Sequence, residues 1–192
     1  MTTRRFGSMF GCGAMALALA VAAACGAGGS SAATAQAAEP MSCEAIADLA
    51  LAETTITLAE AVPAGPFTPP GANRPPDLPA FCRVAATTDP AVQFEVWLPA
   101  EGWNGKFHTA GNGGMAGVIS YAAMAGALER GYATASTDTG HVRPGAGSFD
   151  ASWALDRPDL IEDFGHRSLH MTAVNGKAIT EARYGAAPDH AY

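Results

Sequence analysis

Positively charged residues are scarce in this sequence. Its 192 residues include 11 lysines and arginines against 18 aspartates and glutamates, which gives a formal net charge of −7. An acidic surface repels the phosphates of nucleic acids and the headgroups of anionic lipids. The composition therefore argues against both as partners and leaves a small neutral substrate open.

Long apolar runs are also missing. The main apolar run, residues 14–24, follows Arg4 and Arg5. It is too short to span a membrane, which takes about 20 residues, but has the length of a signal-peptide core. Since Ala35-Gln36-Ala37 has the form that a signal peptidase cleaves, we predict a signal peptide over residues 1–37, a tether over 38–42 and a secreted or periplasmic protein. Losing the two arginines makes the mature charge −9.

Two other export routes stay open. Cys25 follows three alanines and could carry a lipid anchor, in which case the signal ends at residue 24 and the protein is anchored in the cell envelope. The Arg4-Arg5 pair is also a feature of twin-arginine signals. Each route takes the chain out of the cytoplasm.

Cysteine is rare, with four in the chain. Cys12 lies in the predicted signal peptide, and Cys25 is either removed with it or lipidated. Cys43 and Cys82 remain, and an oxidising compartment favours a disulfide between them over two free thiols. The bridge would close a proline-rich segment and anchor the N-terminus to the domain, stabilising the fold by about 3–4 kcal/mol.

A complete set of catalytic side chains is missing as well. Ser136 and Ser148 do not lie in the Gly-x-Ser-x-Gly pattern of a nucleophile elbow. Asp138 and His141 follow a predicted strand in a polar turn, where aspartate commonly binds backbone amides, so we predict a structural role for them. His166 and His170 have a metal-compatible spacing but no third ligand in view.

Three further side chains are candidates for lining a site. His108 lies on a predicted strand, and Trp103 and Trp153 could stack on an aromatic acyl group. For all three, ordinary packing in the fold is the favoured interpretation.

Strand and helix patterns alternate after residue 40. Strands are predicted over residues 54–58, 92–98, 106–110 and 132–136, and helices over 43–51, 120–130 and 160–184. A further strand begins at His190. This alternation is typical of an α/β domain with a mostly parallel sheet and covering helices, which we place at residues 43–192.

The most informative segment is the glycine-rich loop after residue 110, with glycines at 111, 113, 114 and 117. Such a loop between a strand and a helix binds a dinucleotide pyrophosphate or supplies an oxyanion-hole N–H in an α/β-hydrolase. Gly111-x-Gly113-x-x-Ala116 fits the first pattern, with Asp138 as a ribose ligand. Export, a preceding strand and the long spacing to Asp138 all disfavour this oxidoreductase hypothesis.

Several motifs in order resemble the tannase and feruloyl esterase family. They are Asn104-Gly105-Lys106-Phe107, Gly111-Asn112-Gly113-Gly114, Ala116-Gly117, residues 136–141, 163–170 and 174–179, and the elements around Cys43 and Cys82. The resemblance covers about residues 43–192.

The resemblance implies a secreted serine esterase with an α/β-hydrolase core, acting on galloyl, feruloyl or related aromatic esters. Its nucleophile elbow, Gly-Cys-Ser-x-Gly-Gly, its triad aspartate and histidine, and a lid with a calcium site would all follow residue 192. We therefore expect an N-terminal fragment without its lid, a cofactor or activity of its own. Gly113 and Gly114 are the candidate oxyanion-hole residues. A non-catalytic envelope or binding protein is the alternative, although it has no need of the glycine loop.

Overall fold

The computed structural model describes residues 39–72, 74–142 and 149–192. The predicted signal peptide, Cys25 and Ser148 lie outside these ranges, and the division at residue 37 stays a prediction. No helix within the ranges combines the length and apolarity needed to cross a membrane.

Within the described ranges, strands and helices alternate in the second half of the chain. The strands are β1 Thr54–Val62, β2 Gly65–Pro66, β3 Asp77–Leu78, β4 Phe81–Thr88, β5 Val92–Pro99, β6 Lys106–Ala110, β7 Ala133–Thr137 and β8 His190–Ala191. The α-helices are α1 Tyr121–Leu128, α2 Pro158–Glu162 and α3 Ser168–Tyr184. A 3₁₀ helix, Glu44–Asp48, precedes β1, and a π-helical turn, Asp163–Arg167, joins α2 to α3.

The main sheet has the strand order β1-β4-β5-β7-β6-β8. The α/β class is confirmed, and β6 is parallel to both β7 and β8 because helices connect these strands. The strands before them pair antiparallel, β1 with β4, β4 with β5 and β5 with β7. The short turn between β4 and β5 permits only an antiparallel neighbour.

Both faces of the sheet are covered. On one face Phe94, Val96 and Phe107 pack with Ile179 of α3. On the other face Trp97 packs with Met124 and Leu128 of α1 and with partners from the proline-rich segment. Alternation along residues 92–98 predicts a half-buried strand, but Glu95 and Trp97 are buried as well, because α1 covers the face expected to meet solvent.

The Cys43–Cys82 disulfide is present, with a Cα–Cα distance of 5.5 Å. It joins the residue before this 3₁₀ helix to β4, a strand that the sequence patterns do not predict. Two further hydrogen bonds tie the same N-terminal segment to the end of α3: the Met41 N–H donates to the Ala182 carbonyl, and the Arg183 guanidinium donates to the Met41 carbonyl. The N-terminus of the domain is therefore anchored on the α3 face.

Candidate active site

The glycine loop, residues 111–119, leaves the carboxyl end of β6 and leads into α1. Gly113 and Gly114 are exposed, and Gly114 has a φ of 61°, which favours glycine. The Ala116 N–H donates to the Gly113 carbonyl at 3.3 Å and closes a tight turn. No described residue accepts a hydrogen bond from the N–H of Gly113 or Gly114. Two exposed backbone donors are therefore free to bind a ligand.

The first half of this loop is held by β7 and by the start of α1. The Asn112 side-chain amide donates to the Thr137 carbonyl at 3.0 Å. Ser120 lies directly before α1, and its hydroxyl donates to the Gly111 carbonyl at 3.0 Å instead of capping the helix. Its backbone N–H donates to the Ser136 hydroxyl at 2.9 Å.

The turn after β7, residues 137–141, packs against the second half of the loop. The Nε2 atom of His141 lies 3.0 Å from the Met115 carbonyl oxygen. A Cβ atom at Gly117 would overlap the carbonyl oxygen of His141, so the two backbones approach as closely as glycine allows.

Asp138 in this turn is 3% exposed. Its Oδ1 accepts hydrogen bonds from the N–H groups of Gln93 and Gly140, both at 2.9 Å. Burial raises the pKa of the Asp138 carboxyl above its ordinary value, although these two hydrogen bonds act in the opposite direction. The described contacts include no hydrogen bond between the side chains of Asp138 and His141, so the geometry gives no catalytic dyad.

The same geometry speaks against the dinucleotide hypothesis. That hypothesis requires the Asp138 carboxylate to reach a ribose hydroxyl outside the sheet. Here the carboxylate is buried and binds the backbone of β5 and of its own turn.

An open cleft of about 720 Å³ adjoins the loop. Its walls come from the proline-rich segment, the end of the glycine loop, the first turn of α1 and the turn after β7; they include Gly71, Gln93, Val118, Tyr121, Asp138 and Val142. Gly113 and Gly114 lie outside this lining. The cleft is therefore a space beside the exposed donors rather than around them.

Strand β8 lies directly beside β6. The Tyr192 N–H donates to the Phe107 carbonyl at 3.0 Å, and the Thr109 N–H donates to the Tyr192 carbonyl at 2.8 Å. Because the two strands are parallel, their carboxyl ends meet at one edge of the sheet. The glycine loop and the end of β8 therefore lie side by side at that edge.

The remaining candidate residues have ordinary partners. The His108 Nδ1 lies 3.2 Å from the Thr134 hydroxyl, and burial lowers the pKa of this imidazole. Trp103 stacks on Tyr184, with ring centroids 4.1 Å apart, and Trp153 stacks on His141 at 3.9 Å. These contacts agree with packing roles.

His166 and His170 are exposed on the helical segment. The described residues bring together no group of three or more histidine, cysteine, aspartate or glutamate side chains that could hold a metal ion.

A buried polar cluster beneath α1 has no counterpart in the sequence predictions. Both Glu95 carboxylate oxygens accept hydrogen bonds from Arg83, at 2.6 and 2.9 Å. The indole N–H of Trp97 and the hydroxyl of Tyr121 also donate to Glu95, at 2.8 and 2.9 Å. The sequence signal for this cluster is a charged residue, Glu95, within a mostly apolar strand. The cluster fixes the first residue of α1, and thereby the end of the glycine loop, to the sheet.

Comparison with known proteins identifies relatives over most of the chain. The family model described as tannase and feruloyl esterase matches residues 78–192. An uncharacterized esterase of Xanthomonas campestris is 43% identical over 160 residues, covering 81% of this chain and 27% of that protein. A probable feruloyl esterase B-1 of Aspergillus fumigatus is 42% identical over 108 residues, covering 54% of this chain and 19% of that protein.

A solved structure agrees with these relatives. The crystal structure of feruloyl esterase B from Aspergillus oryzae superimposes with a TM-score of 0.66 at 32% identity, over 78% of this chain and 30% of the other. The chain thus spans less than a third of the length of each of these three proteins.

Proposed function

This chain belongs to the tannase and feruloyl esterase family, and on that premise we propose that it forms the oxyanion-hole part of an exported serine esterase. The reaction is hydrolysis of a carboxylic ester with an aromatic acyl group, of the feruloyl or galloyl kind. Two relatives named feruloyl esterases support the substrate class.

The parallel pairing of β6 with β8 carries the proposal. In an α/β-hydrolase the nucleophile sits on a sharp turn after a sheet strand, and an oxyanion donor comes from a neighbouring strand–helix loop. The Thr109–Tyr192 hydrogen bond supports this assignment, since it holds the end of β8 next to the end of β6, from which the glycine loop leaves. A serine in a turn directly after β8 would therefore lie near the N–H groups of Gly113 and Gly114.

The chemistry assigned to the loop is electrostatic. Attack of a serine oxygen on the ester carbonyl converts the carbonyl oxygen to an oxyanion. A fixed N–H directed at that oxyanion typically lowers the barrier by about 3 kcal/mol. The exposed Gly113 and Gly114 amides suit this task, because glycine leaves room for the substrate to approach the backbone.

The remaining catalytic groups are proposed for the protein beyond residue 192. The serine needs a histidine that removes its proton and an acidic residue that orients this histidine. A calcium site in a lid stays a prediction for the same part of the protein. Export is supported by the signal-like N-terminal sequence and by the disulfide.

The test is to express the complete coding sequence and measure hydrolysis of methyl ferulate and methyl gallate. A fluorophosphonate probe followed by peptide mass spectrometry should label one serine shortly after Tyr192. Residues 38–192 expressed alone should show neither hydrolysis nor labelling. A complete protein that neither hydrolyses aromatic esters nor reacts with the probe would contradict the proposal.

A further inference from the structure

We propose that His141 is a positioning residue for the oxyanion hole, acting through the Met115 carbonyl; this rests on the proposed function. It is assigned no contact with the substrate or the nucleophile. Its task is to hold the part of the glycine loop that carries the free N–H groups.

The hydrogen bond fixes the proton on His141. A backbone carbonyl oxygen can only accept, so at 3.0 Å from the Met115 oxygen the Nε2 atom must carry a hydrogen and donate it. Among the described residues, this is the one hydrogen bond that joins residues 113–117 to the rest of the fold, since the bond between Ala116 and Gly113 is internal to the loop. Without it, no described residue outside residues 113–117 makes a hydrogen bond to the exposed turn at Gly113 and Gly114.

The imidazole itself is held firmly. It is 5% exposed, and its ring stacks on Trp153 at 3.9 Å with an interplanar angle of 20°. Phe164 from the π-helical turn packs against the imidazole in an edge-on arrangement, with ring centroids 5.7 Å apart, and the Nδ1 atom lies 3.3 Å from the Thr139 hydroxyl. Because the imidazole is held by these three neighbours, its Nε2–H can fix the position of the more exposed glycine loop.

Main-chain packing adds to the same constraint. Because Gly117 has no Cβ, the His141 carbonyl can pack against the loop backbone. The loop is thus held at Met115 by the imidazole and at Gly117 by the backbone of the same residue. An oxyanion hole gains its effect from donors that are already in place when the charge forms, so loosening this contact should act on kcat more than on KM.

The experiment compares two amide replacements in the complete enzyme, H141Q and H141N. The glutamine amide reaches the position of Nε2 and can donate to the Met115 carbonyl, whereas the shorter asparagine amide reaches only the position of Nδ1. We expect H141N to lower kcat for methyl ferulate about tenfold or more, with KM within about threefold of wild type. H141Q should restore most of kcat, and both variants should have similar melting temperatures.

A double-mutant cycle with G113P adds a readout that a general loss of stability would not give. If His141 acts through the loop, H141N should reduce kcat further by less than about twofold once G113P has removed a donor, because coupled residues are not additive. Equal kcat for H141N and H141Q, or full additivity with a G113P variant that itself lowers kcat, would overturn the inference while leaving an active esterase. A wild-type enzyme without ester hydrolysis would overturn the proposed function, and the inference with it.

Discussion

The backbone of Gly117 lies against the carbonyl group of His141, closely enough that a Cβ at position 117 would overlap the carbonyl oxygen. Two loops that follow different strands are therefore in main-chain contact next to the candidate site.

This contact predicts that G117A destabilises the protein. The added methyl group must push the glycine loop away from the turn after β7, at a cost of about 1–3 kcal/mol. G111A is the matched control, because a Cβ there meets nothing within 4 Å and the φ of Gly111 is not in the left-handed region. Thermal and urea unfolding should show a lower stability for G117A than for G111A. Equal stability would contradict close packing between Gly117 and the His141 carbonyl.

A second prediction concerns the oxyanion donor at Gly113. G113P removes the backbone N–H and should lower kcat about 100-fold. G113A keeps the N–H, and its Cβ meets nothing within 4 Å, so its kcat should stay within a few-fold of wild type. Similar kcat values for the two variants would exclude this N–H.

Proline is not a clean test of the N–H at Gly114. Its φ of 61° is incompatible with proline, which fixes φ near −65°, so G114P would distort the loop as well as remove the donor. The Gly113 pair is therefore the sharper test of the two glycines.

A third prediction concerns the buried Glu95. E95A leaves the Arg83 guanidinium without its two shortest hydrogen bonds and should destabilise the protein by about 3 kcal/mol. Y121F removes a single hydroxyl donor to the same carboxylate and should cost about 1 kcal/mol. Chemical unfolding measures both, and equal losses would show that the ion pair adds nothing beyond one hydrogen bond.

The disulfide gives a fourth prediction. Its cysteines are 39 residues apart, and opening a loop of this length should lower the free energy of unfolding by about 3–4 kcal/mol. The C43S/C82S double variant tests this by chemical unfolding. Non-reducing peptide mapping of the exported protein should find the cross-link, and free alkylation of both thiols in the native protein would refute it.

Asp138 gives a fifth prediction, on pH. Because burial raises its pKa in the folded state, its contribution to stability is full below the unfolded pKa of about 3.9 and is lost as pH rises through the folded value. The free energy of unfolding of D138N, measured relative to wild type, should therefore increase from about pH 4 towards pH 7. A pH-independent difference would contradict the raised pKa.

Much of the fold could be predicted from local patterns. The strand at 106–110 matches the structure, and the predicted helix at 160–184 corresponds to α2, the π-helical turn and α3. β4 was not predicted, because seven prolines precede it and its alternation is short. The predicted mostly parallel sheet is found where β6 pairs with β7 and β8, whereas the strands before them pair antiparallel, because pairing direction depends on which strands meet in the fold.

The site was predictable only in part. A glycine-rich loop before a helix is visible in the sequence, and so is a polar turn containing Asp138 and His141. The contact between the loop and the turn cannot be read from the sequence, because Met115 and His141 are 26 residues apart and meet only when β6 and β7 pair. The role of Glu95 was hidden for a similar reason, since its partner Arg83 lies on the neighbouring strand.

The glycine loop takes its conformation from β7 and the turn that follows, through Thr137 and His141. Its shape is therefore not encoded in its own residues alone. If this loop is transplanted into another scaffold, residues 111–119 and 137–141 should be moved together, because the first segment alone would lack the hydrogen-bond partners that hold its conformation.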